Sequence, residues 1–370
     1  MHSMRRHRGV LIGAGGFAGS WARDFLPTFQ DRIEIVAIAD IHPGALARSA
    51  DALRIPEAGR FRSYDAMIDA VEADACFIVI PPAVRPDAVR TAASRGMAVF
   101  CEKPVAASWT QTLEIAEIVH DTGIRFAVVQ NYRLTNRILA LKSVIQRPEM
   151  GSINTIQARM AVNYTIATAG GAFRHQIPDA MIYEGAEHHL DQFRNLAGAD
   201  GSWVQGVQWG QPWSTFGGNT CVALIAGMTN GVIVQFEMNH VERGHQNGWH
   251  QEYYRVACEG GTVTLDADHI VRLTCDLGAD GEVVEEIMPE ANPHDGHFAV
   301  ITTFLDWLDG GPPPETTIDD VLQTMALTFS AAEATRNGQR VEIQSLIQGL
   351  PDHLKRVPAR DADMDTTVTA

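Results

Sequence analysis

The chain is poor in cysteine, lacks any long apolar run and carries no excess of positive charge, and each shortage removes a class of protein. Its five cysteines, Cys76, Cys101, Cys221, Cys258 and Cys275, are odd in number, widely separated and never spaced C-x-x-C. That excludes a disulfide framework and a zinc knuckle. Cys76 and Cys101 fall in strand-like runs and read as small core residues, which suits a reducing, cytoplasmic setting. No stretch approaches the roughly 18 consecutive apolar residues of a membrane span. A formal net charge of -16 repels phosphate backbones and anionic lipid, so neither nucleic acid nor a membrane surface is expected as a partner. The charged start, with Arg5-Arg6, resembles an export signal, but the apolar segment behind it is broken by glycines and reads as a first strand and turn.

At 370 residues the chain is longer than one hydrophobic core usually serves, which predicts two domains. Between Gly9 and Val129 short apolar segments alternate with helical ones, the signature of a parallel sheet covered on both faces. Strands are expected at Val10 to Ile12, Ile33 to Ala39, Ala75 to Ile80, Ala98 to Cys101 and Phe126 to Val129. Apolar spacing places helices at Ala18 to Leu26, Pro43 to Leu53, Tyr64 to Val71, Ala83 to Arg95 and Thr110 to Thr122. After Asn131 come a helix ending near Ile145, a strand from Ile153 to Val162, a loop with Gly170-Gly171 and a helix around Glu184 to Leu196. Six strands then lie between Trp203 and Cys275, with turns at Asn230-Gly231 and Gly260-Gly261, before helices at Gly296 to Leu308 and Ile318 to Asn337. The expected fold is α/β plus α+β. A doubly wound domain spans residues 1–129, a domain with an open, mostly antiparallel sheet covered by helices on one face spans 130–350, and 351–370 is a solvated tail.

Chemistry is concentrated at a few points. Gly13-Ala14-Gly15-Gly16-Phe17-Ala18 follows an apolar strand and opens a helix, the context a G-x-G-x-x-G/A turn needs. The first glycine permits the tight turn, the second lets backbone approach a pyrophosphate, and the small Ala18 packs helix on strand. The helix N-terminus offers free N–H groups and a positive dipole end to the phosphates. Asp40 ends the second expected strand, twenty-two residues beyond Ala18, where a carboxylate binds the adenosine ribose and repels a 2′-phosphate. No arginine stands in Ile41-His42-Pro43 to hold such a phosphate. A Rossmann domain that binds NAD in preference to NADP is expected.

Two further stretches complete the reading. In Ala98-Val99-Phe100-Cys101-Glu102-Lys103-Pro104, Lys103 precedes a proline and so is extended, at the strand's C-terminal edge where doubly wound sheets bind ligands. An ammonium there can hydrogen-bond a substrate hydroxyl and stabilise alkoxide charge. Glu184, His188 and Asp191 share one helix face, and an imidazole can take a proton from an alcohol at neutral pH. Glu184, His188 and His189 lack both an H-E-x-x-H pattern and a third ligand, so no metal is expected.

Together with the phosphate turn, these stretches resemble the glucose-fructose oxidoreductase and inositol dehydrogenase (Gfo/Idh/MocA) family, over about residues 8 to 343. E-K-P is that family's most recognisable mark; Ile80-Pro81-Pro82, Gly185 to Asp191, Ile318-Asp319-Asp320 and Asn337 to Arg340 extend the likeness. The resemblance implies cofactor contacts at Gly13, Gly15, Gly16, Phe17, Ala18, Asp40, Ile80, Pro81, Pro82, Glu102, Lys103 and Asn131. It implies acid/base work at His188, with Lys103 and Glu184 beside it, and a substrate surrounded by Lys103, Arg133, Tyr164, Arg174, His188 and Trp249. Glu184 stands where the family usually has aspartate, and Ala186 where it has glycine. The implied activity is hydride transfer between NAD and a secondary alcohol of a sugar, sugar derivative or cyclic polyol. The rivals are a redox-assisted glycosidase or lyase with tightly bound NAD and a non-catalytic dinucleotide sensor. Retention of Lys103 and His188 argues against the sensor. An open sheet leaves an apolar face for a partner subunit, which predicts a homodimer or homotetramer.

Overall fold

A computed structural model describes residues 6–165, 177–275 and 282–354. Arg174, the Gly170-Gly171 loop and residues 355–370 lie outside the described residues. The first sheet is built from β1 (His7–Ile12), β2 (Ile33–Ala39), β3 (Arg60–Phe61), β4 (Ala75–Ile78), β5 (Ala98–Cys101) and β6 (Phe126–Val128), all parallel, in the order β3-β2-β1-β4-β5-β6. β3 has no counterpart in the sequence reading because two residues carry no periodicity; it pairs only with Ile38 and Ala39. β4 stops two residues short of the expected Ile80, where the chain turns into Pro81-Pro82 and loses the N–H groups a ladder needs.

Helices α2 (Pro43–Ala52), α3 (Tyr64–Ala70), α4 (Arg85–Ser94) and α5 (Trp109–Thr122) connect these strands as expected of a doubly wound sheet. The first connection differs. α1 is α-helical only over Phe17–Ser20, and its next turn, Trp21–Phe25, is π-helical. That wider turn seats the fully buried Trp21 against Phe77 and Phe100, with ring centroids 5.9 Å from each. A second π-helical turn, Met181–Ala186, runs straight into α7 (Glu187–Ala197). Such turns are rare and gather at functional sites; these two carry the residues beside the phosphate turn and before His188.

After α6 (Asn136–Ile145) the second sheet has nine strands: β7 (Ile153–Ala161), β8 (Gly201–Trp209), β9 (Cys221–Met228), β10 (Ile233–Asn239), β11 (Tyr253–Cys258), β12 (Gly261–Leu265), β13 (Val271–Cys275), β14 (Glu282–Ile287) and β15 (Val341–Glu342). Their order is β14-β13-β12-β11-β7-β10-β9-β8-β15. β7 and β10 run parallel and every other neighbouring pair antiparallel, so the sheet is mixed. α7 and α9 (Ile318–Asn337) cover one face. The other presents Gln157, Arg159, Val207, Ile225, Gln235 and Glu237, with Val207 57% and Ile225 39% exposed. The last long helices tie the two sheets together. α8 (His297–Leu308) returns to the first sheet, where Phe304 stacks on Phe100 at 4.7 Å. Just before α9, Thr316 accepts a backbone hydrogen bond from Val128 at 2.9 Å, at the β6 edge. Among the described residues, no helix is long and apolar enough to cross a membrane.

Candidate active site

The phosphate turn is shaped by two glycines with different duties. Gly13 has φ +106°, and a side-chain carbon there would stand 2.2 Å from the Val79 carbonyl, so the fold itself demands glycine. At Gly15 a methyl would meet only Ala45 at 3.6 Å and Asp40 at 4.0 Å, and at Gly16 nothing within 4 Å. The protein leaves that space open over the start of α1, as a pyrophosphate requires. Ala18 is buried beneath it, while Phe17 is 43% exposed and reaches toward His297 at 5.4 Å. At the end of β2 the Asp40 carboxylate accepts hydrogen bonds from the backbone N–H of Ala14 (2.7 Å), Gly15 (3.2 Å) and His42 (2.7 Å). It thus stands beside the turn, with one oxygen on the turn's N–H groups and the other on that of His42. These residues fit a dinucleotide. The sequence showed no arginine next to Asp40, yet Arg62, from beyond β3, folds back to donate to the Ile41 carbonyl.

Glu102-Lys103-Pro104 leaves β5 with a cis peptide bond before the proline. Arg85, buried at the start of α4, donates to the carbonyls of Ile80, Glu102 and Pro104 and so fastens the Ile80-Pro81-Pro82 corner to the lysine segment. Glu102 is itself buried; it accepts from the Trp21 indole at 2.9 Å and from the Lys103 backbone at 3.1 Å. Burial pushes its carboxyl above the usual range, against the pull of Arg85, Trp21 and Lys103. Its remaining neighbour is His297, at 3.8 Å, whose ring also meets Asn131 Nδ2 at 3.3 Å and stacks on Phe25. Burial, with His250 and Lys103 nearby, lowers the His297 imidazole to about 3 and leaves it neutral.

Lys103 joins the two motifs. Its ammonium donates to the backbone carbonyl of Glu184 at 2.9 Å, one helical turn before His188. Glu184 therefore meets the lysine through its main chain. His188 is buried, lies flat on Tyr132 (4.3 Å, 13°) and has Trp249 edge-on at 6.1 Å. Burial first, then Lys103, His189, His250 and His297, hold its imidazole well below the usual range, so the ring is neutral. Its Nδ1 is buried without a hydrogen-bond partner among the described residues. Trp249 donates to the Tyr164 hydroxyl at 2.9 Å, which brings both of these expected residues to the His188 side of the site.

Arg133 does not join them. Its guanidinium is buried and grips Asp191 through two bonds (2.7 and 2.5 Å) and Asp320 at 2.7 Å, so these two contacts are structural. The fork is matched to carboxylates from α7 and α9 through Nε and Nη2, while Nη1 is buried without a hydrogen-bond partner among the described residues. His189 turns to the core, stacking on Phe236 at 4.7 Å and facing Glu252 at 3.8 Å. Among the described residues no three His, Cys, Asp or Glu side chains converge as a metal site would need. The sequence reading passed over Arg85, Gln130, Glu187 and His297. Each gains its meaning only from contacts with distant segments.

Residues 7–130 match the oxidoreductase family with an NAD-binding Rossmann fold. The uncharacterized protein y4oX of Sinorhizobium fredii is 32% identical over 348 residues, 91% of this chain and 96% of its own. Inositol 2-dehydrogenase of Rhizobium meliloti is 29% identical over 196 residues, 51% of this chain and 54% of its own. An oxidoreductase from Agrobacterium radiobacter, solved with NAD+, L-tartaric acid and magnesium, has the same fold. It superimposes with a TM-score of 0.80 over 92% of this chain and 100% of its own, at 20% identity. The chain belongs to the Gfo/Idh/MocA family of NAD(P)-dependent oxidoreductases.

Proposed function

We propose that the protein is an NAD-dependent dehydrogenase acting on a secondary alcohol of a sugar, sugar derivative or cyclic polyol. The observation that carries this reading is the bond from Lys103 to Glu184, which sets a cation and a neutral imidazole side by side although they arise from different domains of the chain. The nicotinamide, when bound, supplies the hydride acceptor. His188 accepts the proton of the reacting hydroxyl, and Lys103 donates to the same oxygen and stabilises the charge that develops on it. Asp40 favours the unphosphorylated ribose, and Gly15 admits the pyrophosphate. The aromatic wall of buried Tyr132 and half-buried Trp249 suits the apolar face of a sugar ring and helps to exclude water. The exposed apolar residues of the second sheet, Val207, Trp209 and Ile225, suit a contact between two copies of the chain.

The test is incubation with NAD or NADP and a panel of sugars, inositols and sugar acids, following the absorbance of reduced nicotinamide. The expected result is accumulation with NAD on at least one polyhydroxy substrate. Lys103→Met should lower turnover by about a thousandfold, the scale of losing a key electrostatic donor, while NAD binding by fluorescence titration persists. Undiminished turnover in that variant would overturn the assignment.

A further inference from the structure

One titratable group at the heart of the site has no part in this chemistry. Glu187, the first residue of α7, is fully buried next to His188. One carboxyl oxygen accepts from Gln130 Nε2 at 2.6 Å. The other is buried without a hydrogen-bond partner among the described residues. A half-satisfied carboxyl in a core is a costly choice where leucine or methionine would pack. Lys103 and Glu102 face it from the end of β5, Gln130 from the segment after β6 and Asp191 from its own helix. Burial raises it, Lys103 and Gln130 pull it down, Asp191 and Glu102 push it up, and the balance falls at about 7.

Oxidising an alcohol to a ketone frees a hydride, which the nicotinamide takes, and a proton. His188 is a poor place for that proton to stay, because burial, Lys103 and three other histidines all disfavour its imidazolium. Resting on the dehydrogenase reading above, we propose that the proton comes to rest on Glu187, reached through Lys103. Lys103 gives one N–H proton to the unpartnered oxygen of Glu187, and the resulting amine takes the proton held on His188. Lys103 and His188 end as they began, and Glu187 ends as a neutral acid. Reduction of a ketone runs the same transfers backwards. Glu187 is a positioning residue, since it acts on the reacting oxygen only through its neighbours.

Infrared difference titration of the protein without cofactor or substrate tests the first half. The wild type should show a carboxyl losing its proton with a midpoint near pH 7, and Glu187→Gln should lack that band. Kinetics test the second half. With an alcohol that is turned over, wild-type kcat/KM should rise about tenfold per pH unit below the midpoint and level off above it, as for one ionising group. In Glu187→Gln that limb should flatten, with activity lowered about tenfold or more above the midpoint, and Glu187→Asp should restore it. Gln130→Leu removes a bond that favours the ionised form, so both the band and the limb should move to higher pH. That variant keeps the carboxyl and decides the matter should Glu187→Gln fail to fold. An unchanged limb in Glu187→Gln, or turnover by a wild type with no carboxyl titrating near neutrality, overturns the relay alone. A titrating Glu187 without turnover of any alcohol overturns the dehydrogenase reading, and the relay with it.

Discussion

The two glycines of the phosphate turn should fail in opposite ways when each is given a methyl group. At Gly13 the new carbon would lie 2.2 Å from a backbone carbonyl that cannot move without β4, and φ is +106°. A positive φ costs a residue with a side chain about 1–3 kcal/mol, and the clash adds to it. Gly13→Ala should therefore lose at least about 3 kcal/mol, a fall in Tm of at least about 6 °C at roughly 2 °C per kcal/mol. At Gly15 the nearest atom stands at 3.6 Å, an ordinary contact. Alanine also narrows the unfolded ensemble, so stability should hold within about 1 kcal/mol. The methyl would, however, occupy the space through which a pyrophosphate reaches the backbone. A loss of about 1.4–2.8 kcal/mol weakens NAD affinity about 10- to 100-fold. Thermal shift with and without NAD separates the cases. At a concentration 100 times the wild-type Kd, NAD should stabilise the wild type by about 2.7 kcal/mol, and at a 100-fold weaker Kd the same concentration yields only about 0.4. Gly15→Ala with wild-type NAD stabilisation, or with the instability of Gly13→Ala, would refute the division of duties.

Other substitutions probe other parts. Asp40→Ala should shift the NAD to NADP ratio of kcat/KM toward NADP by about tenfold or more, the scale of one removed charge repulsion. Adding Arg62→Ala should take that gain away, because Arg62 already stands at the Ile41 carbonyl. Arg133→Met removes the nearest cation from buried Asp191, which keeps Arg194 at 3.8 Å, while Asp320 keeps Arg194 at 3.0 Å. It should cost about 3–5 kcal/mol in urea unfolding and leave the Kd for NAD of the folded fraction unchanged. Glu252 is held at about 2: burial opposes its ionisation, but His189 and Arg137 override it. Its folded pKa lies below the unfolded value of 4.5, so this stability is present above pH 4.5 and is lost as pH falls toward 2. At about 1.4 kcal/mol per unit, about 2 kcal/mol should be gone by pH 3. Glu252→Gln should narrow by that amount the gap in unfolding free energy between pH 6 and pH 3; an unaltered gap would show that the ion pair contributes nothing.

What the sequence disclosed depended on how far apart the partners lay. The alternation of short strands and helices up to Val129 exposed the parallel sheet, because each βα unit advertises itself within a few residues. The same holds for Gly13 to Ala18, Asp40 and Glu102-Lys103-Pro104, whose signals are local spacing. Two-residue strands such as Arg60–Phe61 and Val341–Glu342 have no pattern to detect. β14 reads Glu-Val-Val-Glu-Glu-Ile, whose acidic residues hide an edge strand. The ion pairs of Arg133 were not legible because one of the carboxylates that holds it, Asp320, lies 187 residues downstream. Glu187 was passed over for the opposite reason: it stands inside a recognised motif, where the flanking histidine drew the eye, and nothing in the sequence says that Gln130 and Lys103 close around it.

The return of α8 to the first sheet has a consequence for how the protein is made. A ribosome completes all six strands of the cofactor-binding half long before Phe304 exists to cover Phe77 and Phe100. That aromatic face must wait, open to water or to a chaperone, while the eight strands from β7 to β14 emerge. A fragment ending at residue 129 would carry the face uncovered for good. An exchange of cofactor-binding halves between relatives should therefore carry residues 296–308 with it, since the chain's two halves by order of synthesis are not its two halves by packing.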